Sequence, residues 1–388
     1  GGFPLLAEGQ VGALYPLNWL LYRLLPLHIA LSYSLLPHLA LAGVGMYLFL
    51  RTQNLRAAAA LVGALSFYFS GFFVAKIQHM TNLIAVGWMP WLFFCYEKFA
   101  HARDARARRA WFAAISAIAA LMLLNGHPQI DFMAVSLFGL WVLFASLARA
   151  ERPIRLRLSE IGLTLCALAL GAGIAAAQLI PFAELFPYSI RGGDYAAQEW
   201  ASYSLNPERL IQIVAPFAIE GPFDPNIEFF GYAGLMPLGL AITALGLRRD
   251  RRVWFCVAII LVALSLAIGN YNPFYDLLYN VPIFNRFRVP ARFLLWFIFA
   301  IAFLAALALD ELARKLEEDD RPRRAATGIA IAFGILIVAA FLAAYNVAWE
   351  FWLDAWHLLP YAFGGGALLI LLAARLRKIG SSVFLALA

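Results

Sequence analysis

Long apolar segments recur along the chain and are separated by short polar connections. A helix that crosses the hydrocarbon core of a membrane needs about 20 mostly apolar residues, and helices alone satisfy their backbone hydrogen bonds within one such segment. The pattern therefore predicts an all-α fold, a polytopic transmembrane helical bundle with about 11 spans. The predicted spans are residues 29–50, 57–75, 82–97, 110–124, 131–149, 160–182, 229–247, 253–269, 292–309, 326–345 and 359–374.

Composition and charge agree with a membrane protein. The chain is 63% hydrophobic and 14% charged, whereas soluble domains carry about 25% charged residues. Its net charge is +7, but the basic residues are dispersed between apolar segments and form no basic face or nucleic-acid motif. We therefore expect membrane lipids as partners and no nucleic acid. The three cysteines lie within predicted spans and show neither metal-ligand nor disulfide spacing.

The distribution of the basic residues predicts the orientation of the bundle. Of the 30 Lys and Arg residues, 23 lie on alternate connections between the predicted spans. Because Lys and Arg accumulate in short cytoplasmic loops, these connections are predicted to face the cytoplasm. The remaining connections are predicted to face outward and to carry any chemistry, since they hold most of the polar and aromatic loop residues. They are residues 1–28, 76–81, 125–130, 183–228, 270–291 and 346–358.

Two regions follow from this arrangement. Residues 1–28 form an outer loop, in which Pro16 to Pro26 predicts an amphipathic helix lying in the membrane interface. This helix either packs on the bundle or guides a lipid substrate. Residues 29–388 form the multi-span domain, including the outer loop 183–228, where Asn206-Pro207-Glu208 predicts a short helix over 207–214. The chain starts without Met and ends inside an apolar segment, so we expect a fragment whose first outer loop is entered midway.

Three arginines on one outward loop oppose the general charge distribution. Arg286, Arg288 and Arg292 lie directly before an apolar segment, and Arg is suited to multidentate phosphate contacts. The phosphate of a membrane lipid would lie at this depth. The alternative is that these arginines pair with acids of loop 183–228 or with lipid head groups in general.

The other outer loops add further candidates for a shared anion site. Lys76 and His79 lie on one short loop, and His127 lies on another. In the first loop, Glu8 offers a carboxylate and Gln10 an amide, although Glu8 is equally explained as a solvated surface acid. The acids of loop 183–228 match no metal-ligand spacing. We therefore assign no metal ligands, and the sequence leaves a divalent cation open.

Four stretches carry a resemblance to a known family. They are GGFPLLAEGQVGALYPLNWLLYRLLP at the start, NGHPQ at 125–129, FGYAGLMPL at 230–238 and NRFRVPARF at 285–293. As a set they resemble the bacterial YfhO-type membrane proteins. Members of that family resemble the GT-C glycosyltransferases, which are multi-span enzymes that take sugar from a polyprenyl-phosphate carrier.

The resemblance implies a specific activity and location. It implies a GT-C-like fold in the bacterial cytoplasmic (inner) membrane with an outward active face. It also implies an inverting sugar transfer, in which an outer-loop carboxylate deprotonates the hydroxyl of an envelope glycan, teichoic acid or lipid acceptor. The principal acid of such enzymes usually lies in the first outer loop. Because this chain enters that loop midway, we expect the principal acid to precede Gly1, with Glu8 as either a second acid or its neighbour.

Other functions fit the same span pattern. A lipid-linked saccharide flippase or small-solute transporter would tend to place ionisable residues near the middle of the membrane, and the predicted spans are almost free of them. A non-catalytic scaffold for envelope assembly would not need the outward arginines. Glycosyl transfer is the hypothesis that fits both the spans almost free of ionisable residues and the outward arginines.

Overall fold

The computed structural model describes residues 2–189, 197–216, 219, 226–317 and 334, and this part of the chain is helical without strands. The α-helices are α1 (Pro16–Leu24), α2 (Leu27–Thr52), α3 (Ala57–Tyr68), α4 (Gly71–Ala75), α5 (Met80–Ala100), α6 (Ala105–Asn125), α7 (Pro128–Ala148), α8 (Ile154–Ile174), α9 (Ala176–Leu185), α10 (Ala197–Trp200), α11 (Leu235–Leu247), α12 (Arg251–Ala267) and α13 (Leu294–Glu317). Short 3₁₀ helices occupy Phe186–Tyr188, Pro207–Ile213, Ile227–Phe229, Gly269–Tyr271, Tyr275–Asn280, Phe284–Arg286 and Pro290–Phe293.

The helices confirm the all-α prediction. Every predicted span up to residues 292–309 contains a helix. The predicted spans 326–345 and 359–374 lie outside the described residues, so the total of about 11 stays a prediction. Within the described chain, six helical segments are long and apolar enough to cross a membrane. They are Leu27–Thr52, Ala57–Ala75, Ala105–Asn125, Pro128–Ala148, Ile154–Ile174 and Pro290–Lys315.

The two shorter helices predicted from sequence are present. The predicted amphipathic helix is α1, which begins at Pro16 and buries none of its residues; Trp19 and Leu24 are exposed. The helix predicted over 207–214 is a 3₁₀ helix, Pro207–Ile213, rather than an α-helix. The Asn206 side chain caps it by accepting a hydrogen bond from the Glu208 amide at 3.1 Å, as the capping sequence predicts.

The chain divides into two compact units, each with its own core. Unit 1 comprises Gly1–Thr52, Lys76–Trp200 and Val281–Phe287. In it α5 packs against α2, α6 and α7, and α6 packs against α8. Close helix contacts depend on small residues. A Cβ atom at Gly45 would lie 2.6 Å from the Trp91 ring, and one at Gly171 would lie 2.6 Å from the Ser116 carbonyl oxygen.

Unit 2 comprises Gln53–Ala75, Ala201–Asn280 and the chain from Arg288 onward. Its centre is α13, which packs against α3, α11 and α12. Every side chain from Phe293 to Leu309 is buried. A helix that is apolar on all sides is stable only when other helices or lipid surround it, and here the other helices of the unit do so.

An ion network joins the polar helix ends of unit 1. Glu97 is 5% exposed and accepts hydrogen bonds from Arg149 and from the Trp141 indole, each at 2.9 Å. Arg149 also lies 3.4 Å from Glu160, and Arg152 lies 2.6 Å from the same carboxylate. Burial disfavours the charged guanidinium of Arg149, but Glu97, Tyr96 and Glu160 together outweigh burial and raise its pKa. The network ties α5 and α8 to the segment that follows α7.

A second ion network lies within unit 2. The Arg56 amide donates to the Asp310 carboxylate and its guanidinium donates to the Asp310 backbone carbonyl, each at 2.8 Å. Arg248 lies 3.6 Å from the Asp310 carboxylate. Asp250 caps α12 and binds the Arg252 guanidinium at 2.9 Å. Burial raises the pKa of Asp250, but the Arg252 hydrogen bond and charge, together with Arg248, hold it below its usual range. Arginines on predicted cytoplasmic connections thus also bind helices together.

Replacing Glu97 tests the network of unit 1. We expect Glu97→Ala to lower the stability of the protein by about 3 kcal/mol, because removal of one partner leaves a largely buried Arg149 charge with less compensation. Unfolding in detergent, followed by circular dichroism, measures the loss. Glu151→Ala removes an exposed carboxylate from the neighbouring connection and should change stability little. Equal stability of both variants would contradict a structural role for the network.

Candidate functional site

The first loop of the chain packs against other segments of unit 1. The Ala7 and Glu8 amides both donate to the Pro4 carbonyl at 3.0 Å, which forms a helical turn. Gly9 is buried, and a Cβ atom there would lie 2.6 Å from the Phe182 ring of α9. Only glycine therefore fits at this point. The close approach fixes the backbone next to the Glu8 carboxylate.

The NGHPQ turn between α6 and α7 forms the other side of this contact. Gly126 has φ +83°, and a Cβ atom there would overlap the Gly9 carbonyl oxygen. The Asn125 side chain donates to the Thr81 carbonyl at 2.7 Å, and the His127 side chain accepts from the Ile130 amide at 3.2 Å. Two of the stretches that carry the family resemblance thus meet in space, and His127 acts there as the cap of α7.

Gln178 of α9 binds the backbone of the first loop. Its side chain is 3% exposed and donates to the Leu6 carbonyl at 2.8 Å and to the Glu8 carbonyl at 3.4 Å. The Glu8 carboxylate is half-buried and accepts a hydrogen bond from the Gln10 amide at 2.8 Å. These bonds direct the carboxylate while leaving its second oxygen available for other chemistry.

A cavity of about 510 Å³ opens beside Glu8. This volume lies in the range of small-molecule sites, about 300–1,000 Å³. Its wall is mostly apolar, with a few polar groups from the first loop. The lining residues are Phe3, Pro4, Ala7, Glu8, Gly9, Gln10, Pro128, Phe182, Leu185, Phe186 and Ser189.

Arg286 places a cation next to this wall. Its guanidinium carbon lies 5.8 Å from the centroid of the Phe186 ring, which lines the cavity. The segment that carries Arg286 is held in unit 1 because Phe284 and Phe287 both pack on Phe132, with ring centroids 6.1 Å and 5.2 Å apart. Unit 1 therefore has a carboxylate and an amide in the wall of one apolar cavity, and a guanidinium over the ring of Phe186, which lines it.

The other two arginines of the predicted cluster belong to unit 2. Arg292 forms a two-pronged ion pair with Glu228, with Nη2 2.6 Å from Oε1 and Nε 3.1 Å from Oε2. Glu228 is 6% exposed, so the pair is largely removed from solvent. This is the alternative that the sequence left open for Arg292. Arg288 is exposed and precedes Val289, which adopts φ +67°.

Lys76 and His79, the remaining candidates for the anion site, are not among the residues that line the cavity. Lys76 is fully buried, and His79 is half-buried at the residue preceding α5. Sequence reasoning placed both on an exposed loop, so the burial of Lys76 was not anticipated. Among the described residues, no three His, Cys, Asp or Glu side chains are grouped so as to hold a metal ion.

Residues 13–388 match the family model described as bacterial membrane protein YfhO. The chain belongs to this family. The match covers nearly the whole chain and includes the NGHPQ, FGYAGLMPL and NRFRVPARF stretches. Family and helices together establish a multi-pass membrane protein.

The fold is similar to a solved structure. That structure is ArnT from Cupriavidus metallidurans, crystallised bound to undecaprenyl phosphate. The TM-score is 0.50 at 17% sequence identity, and the alignment covers 96% of this chain and 62% of the ArnT chain. At this identity the likeness is one of fold, and it agrees with the GT-C-like architecture expected from the sequence. No curated protein matches the chain significantly.

Replacing Gly126 tests the contact between the first loop and the NGHPQ turn. We expect Gly126→Ala to destabilise the protein by about 1–2 kcal/mol, because an L-residue is strained at positive φ; the overlap with the Gly9 carbonyl adds to this. Amide exchange of residues 2–12 should accelerate. Gly139→Ala is the matched control, since a Cβ there meets nothing within 4 Å in a helix interior. Unchanged exchange in Gly126→Ala would show that the contact does not hold the loop.

Proposed function

We propose that the protein is a membrane glycosyltransferase that moves a sugar from a polyprenyl-phosphate donor to an envelope glycan, teichoic acid or lipid acceptor. The observation that carries the proposal is the cavity of unit 1, which Glu8 and Gln10 line together with apolar side chains, while Arg286 lies over the lining residue Phe186. Membership of the YfhO family and the fold likeness to ArnT support it. The proposed location is the bacterial inner membrane, with the cavity facing outward.

The proposed reaction needs a base at the acceptor oxygen. Glu8 takes the proton of the acceptor hydroxyl as that oxygen bonds to the anomeric carbon of the sugar. The bond between this carbon and the phosphate oxygen breaks on the opposite face, so the configuration inverts and polyprenyl phosphate leaves. The half-buried Glu8 carboxylate, held through one oxygen by the Gln10 amide, suits this role.

The leaving phosphate gains negative charge and needs a cation. We assign this task to Arg286, because its guanidinium lies over Phe186 at the cavity wall. Phe182, Leu185 and Phe186 exclude water from the reacting groups, and the Gln10 side chain is suited to bind sugar hydroxyls.

The other predicted site residues take supporting places in the proposal. Arg288 stays a phosphate-binding candidate on the sequence alone. Arg292 is engaged by Glu228, and its contact with substrate likewise stays a prediction from the sequence. His127 acts by capping α7. Lys76 and His79 remain candidates for the anion site, and no metal is assigned to the reaction.

Replacing Glu8 tests the proposed base. We expect Glu8→Gln in the full-length protein to reduce sugar transfer at least about 100-fold, the usual contribution of a general base. The assay uses purified protein in lipid vesicles with a radiolabelled polyprenyl-phosphate sugar. Glu184→Gln, on the exposed part of α9, is the matched control and should keep wild-type activity. Movement of the lipid-linked sugar across the vesicle membrane without sugar transfer would instead support a flippase. Absence of both activities would support a scaffold.

Replacing Arg286 tests the proposed phosphate contact. We expect Arg286→Ala to lower kcat/KM for the donor by about 100-fold, since a preorganised group that stabilises developing charge contributes this much. Arg286→Lys should retain part of the activity because it keeps the charge. Arg292→Ala, which removes the two-pronged ion pair with Glu228, should lower the thermal stability more than it changes donor binding. Wild-type kinetics in Arg286→Ala would contradict the assignment.

A further inference from the structure

A buried polar network lies at the end of the first loop. Tyr15 and His38 are each 1% exposed, and the Tyr15 hydroxyl lies 2.6 Å from His38 Nε2. The Trp88 indole of α5 donates to the same hydroxyl at 2.9 Å. His38 Nδ1 in turn contacts the Ser34 carbonyl one turn earlier in α2. The network therefore links the loop to two long helices.

The donors in this network can point in one direction only. An indole N–H donates and never accepts, so the Tyr15 oxygen accepts from Trp88. The Ser34 carbonyl can only accept, so His38 Nδ1 carries the proton that binds it. Nε2 of the neutral ring is then the acceptor of the Tyr15 proton. Burial raises the pKa of Tyr15 to about 12, so the phenol keeps this proton. The His38 ring is thereby fixed as one neutral tautomer.

The network sets the end of the loop that carries Glu8. Gln178 holds this loop at the Leu6 and Glu8 carbonyls, and Tyr15 holds it seven residues beyond Glu8. Helices α2 and α5 approach closely at this point, since a Cβ atom at Gly87 would lie 2.8 Å from the His38 carbonyl oxygen. The loop is thus held on both sides of the carboxylate. On the far side the Asn18 and Trp19 side chains donate to the Gly12 and Ala13 carbonyls, and the Tyr15 hydroxyl ties the segment to α2 and α5.

We propose that Trp88, Tyr15 and His38 form a positioning network that sets the place of the Glu8 carboxylate in the cavity. This inference rests on the proposed function of Glu8. The three side chains touch no reacting atom. They act through the backbone of residues 9–15, whose ends the network and Gln178 hold. Loss of the Tyr15 hydroxyl removes the bonds that tie the far end of that segment to α2 and α5. It leaves the cavity wall of α9 unchanged.

The test uses Tyr15→Phe in the full-length protein, which removes the hydroxyl and keeps the ring. We expect kcat for sugar transfer to fall at least about tenfold, because small displacements of a catalytic group are costly, with KM for the polyprenyl-phosphate sugar within about twofold of wild type. Amide exchange of residues 5–12 should accelerate. Tyr22→Phe, an exposed tyrosine of α1, is the matched control and should change neither quantity.

Nitrogen NMR of ¹⁵N-histidine-labelled protein gives a readout that does not depend on activity. The His38 signals, assigned by their loss in His38→Gln, should show one neutral tautomer with the proton on Nδ1 in the wild type. In Tyr15→Phe the Nε2 resonance should shift, because Nε2 loses the hydrogen bond from the Tyr15 hydroxyl. Trp88→Phe should give a smaller change of the same kind and serves if Tyr15→Phe does not fold. The positioning role would be overturned if amide exchange of residues 5–12 stayed at the wild-type rate in both variants. It would also be overturned if the substitution raised KM and left kcat unchanged. An inactive wild type with the predicted tautomer and exchange changes would overturn the proposed function instead.

Discussion

A polar group inside a lipid bilayer has no water to bind, so it must find its partner within the protein. This constraint explains why the described chain is built of helices, which satisfy their backbone groups internally. It also explains where the side-chain networks lie. Glu97 with Arg149, and Asp310 with Arg56, join charges at helix ends. Tyr15 and His38 pair two uncharged polar groups where the first loop meets α2.

The arginines of the predicted cytoplasmic connections therefore have two roles. Their number and alternation predict the orientation of the chain, and several of them also bind helices within each unit. A guanidinium has five donors in a rigid fork, so Arg149 can contact Glu97 and Glu160 together. The same geometry lets Arg292 hold Glu228 by two bonds. An outward arginine is thus not by itself a substrate contact, and its partners decide its role.

The sequence was sufficient to predict the parts that depend on local pattern. Apolar runs predict the long helices, Pro16 the start of α1, and Asn206 the cap of the 3₁₀ helix that follows it. It did not predict contacts that depend on folding at long range. Gly126 meets Gly9 across more than 110 residues, and no spacing rule links these two glycines. Likewise, the division of one arginine cluster between the two units follows from packing of Phe284 and Phe287 on Phe132, which a linear pattern does not contain.

The central claim is that the cavity beside Glu8 receives the head of a polyprenyl-phosphate sugar. The most direct measurement is photo-crosslinking of the full-length protein in membranes with a polyprenyl-phosphate sugar that carries a photoreactive group on the sugar, followed by peptide mass spectrometry. The account predicts label in residues 2–10 and 182–189, which line the cavity, and its loss when unlabelled donor competes. Competed label confined to other outer loops, with none in these two segments, would contradict it.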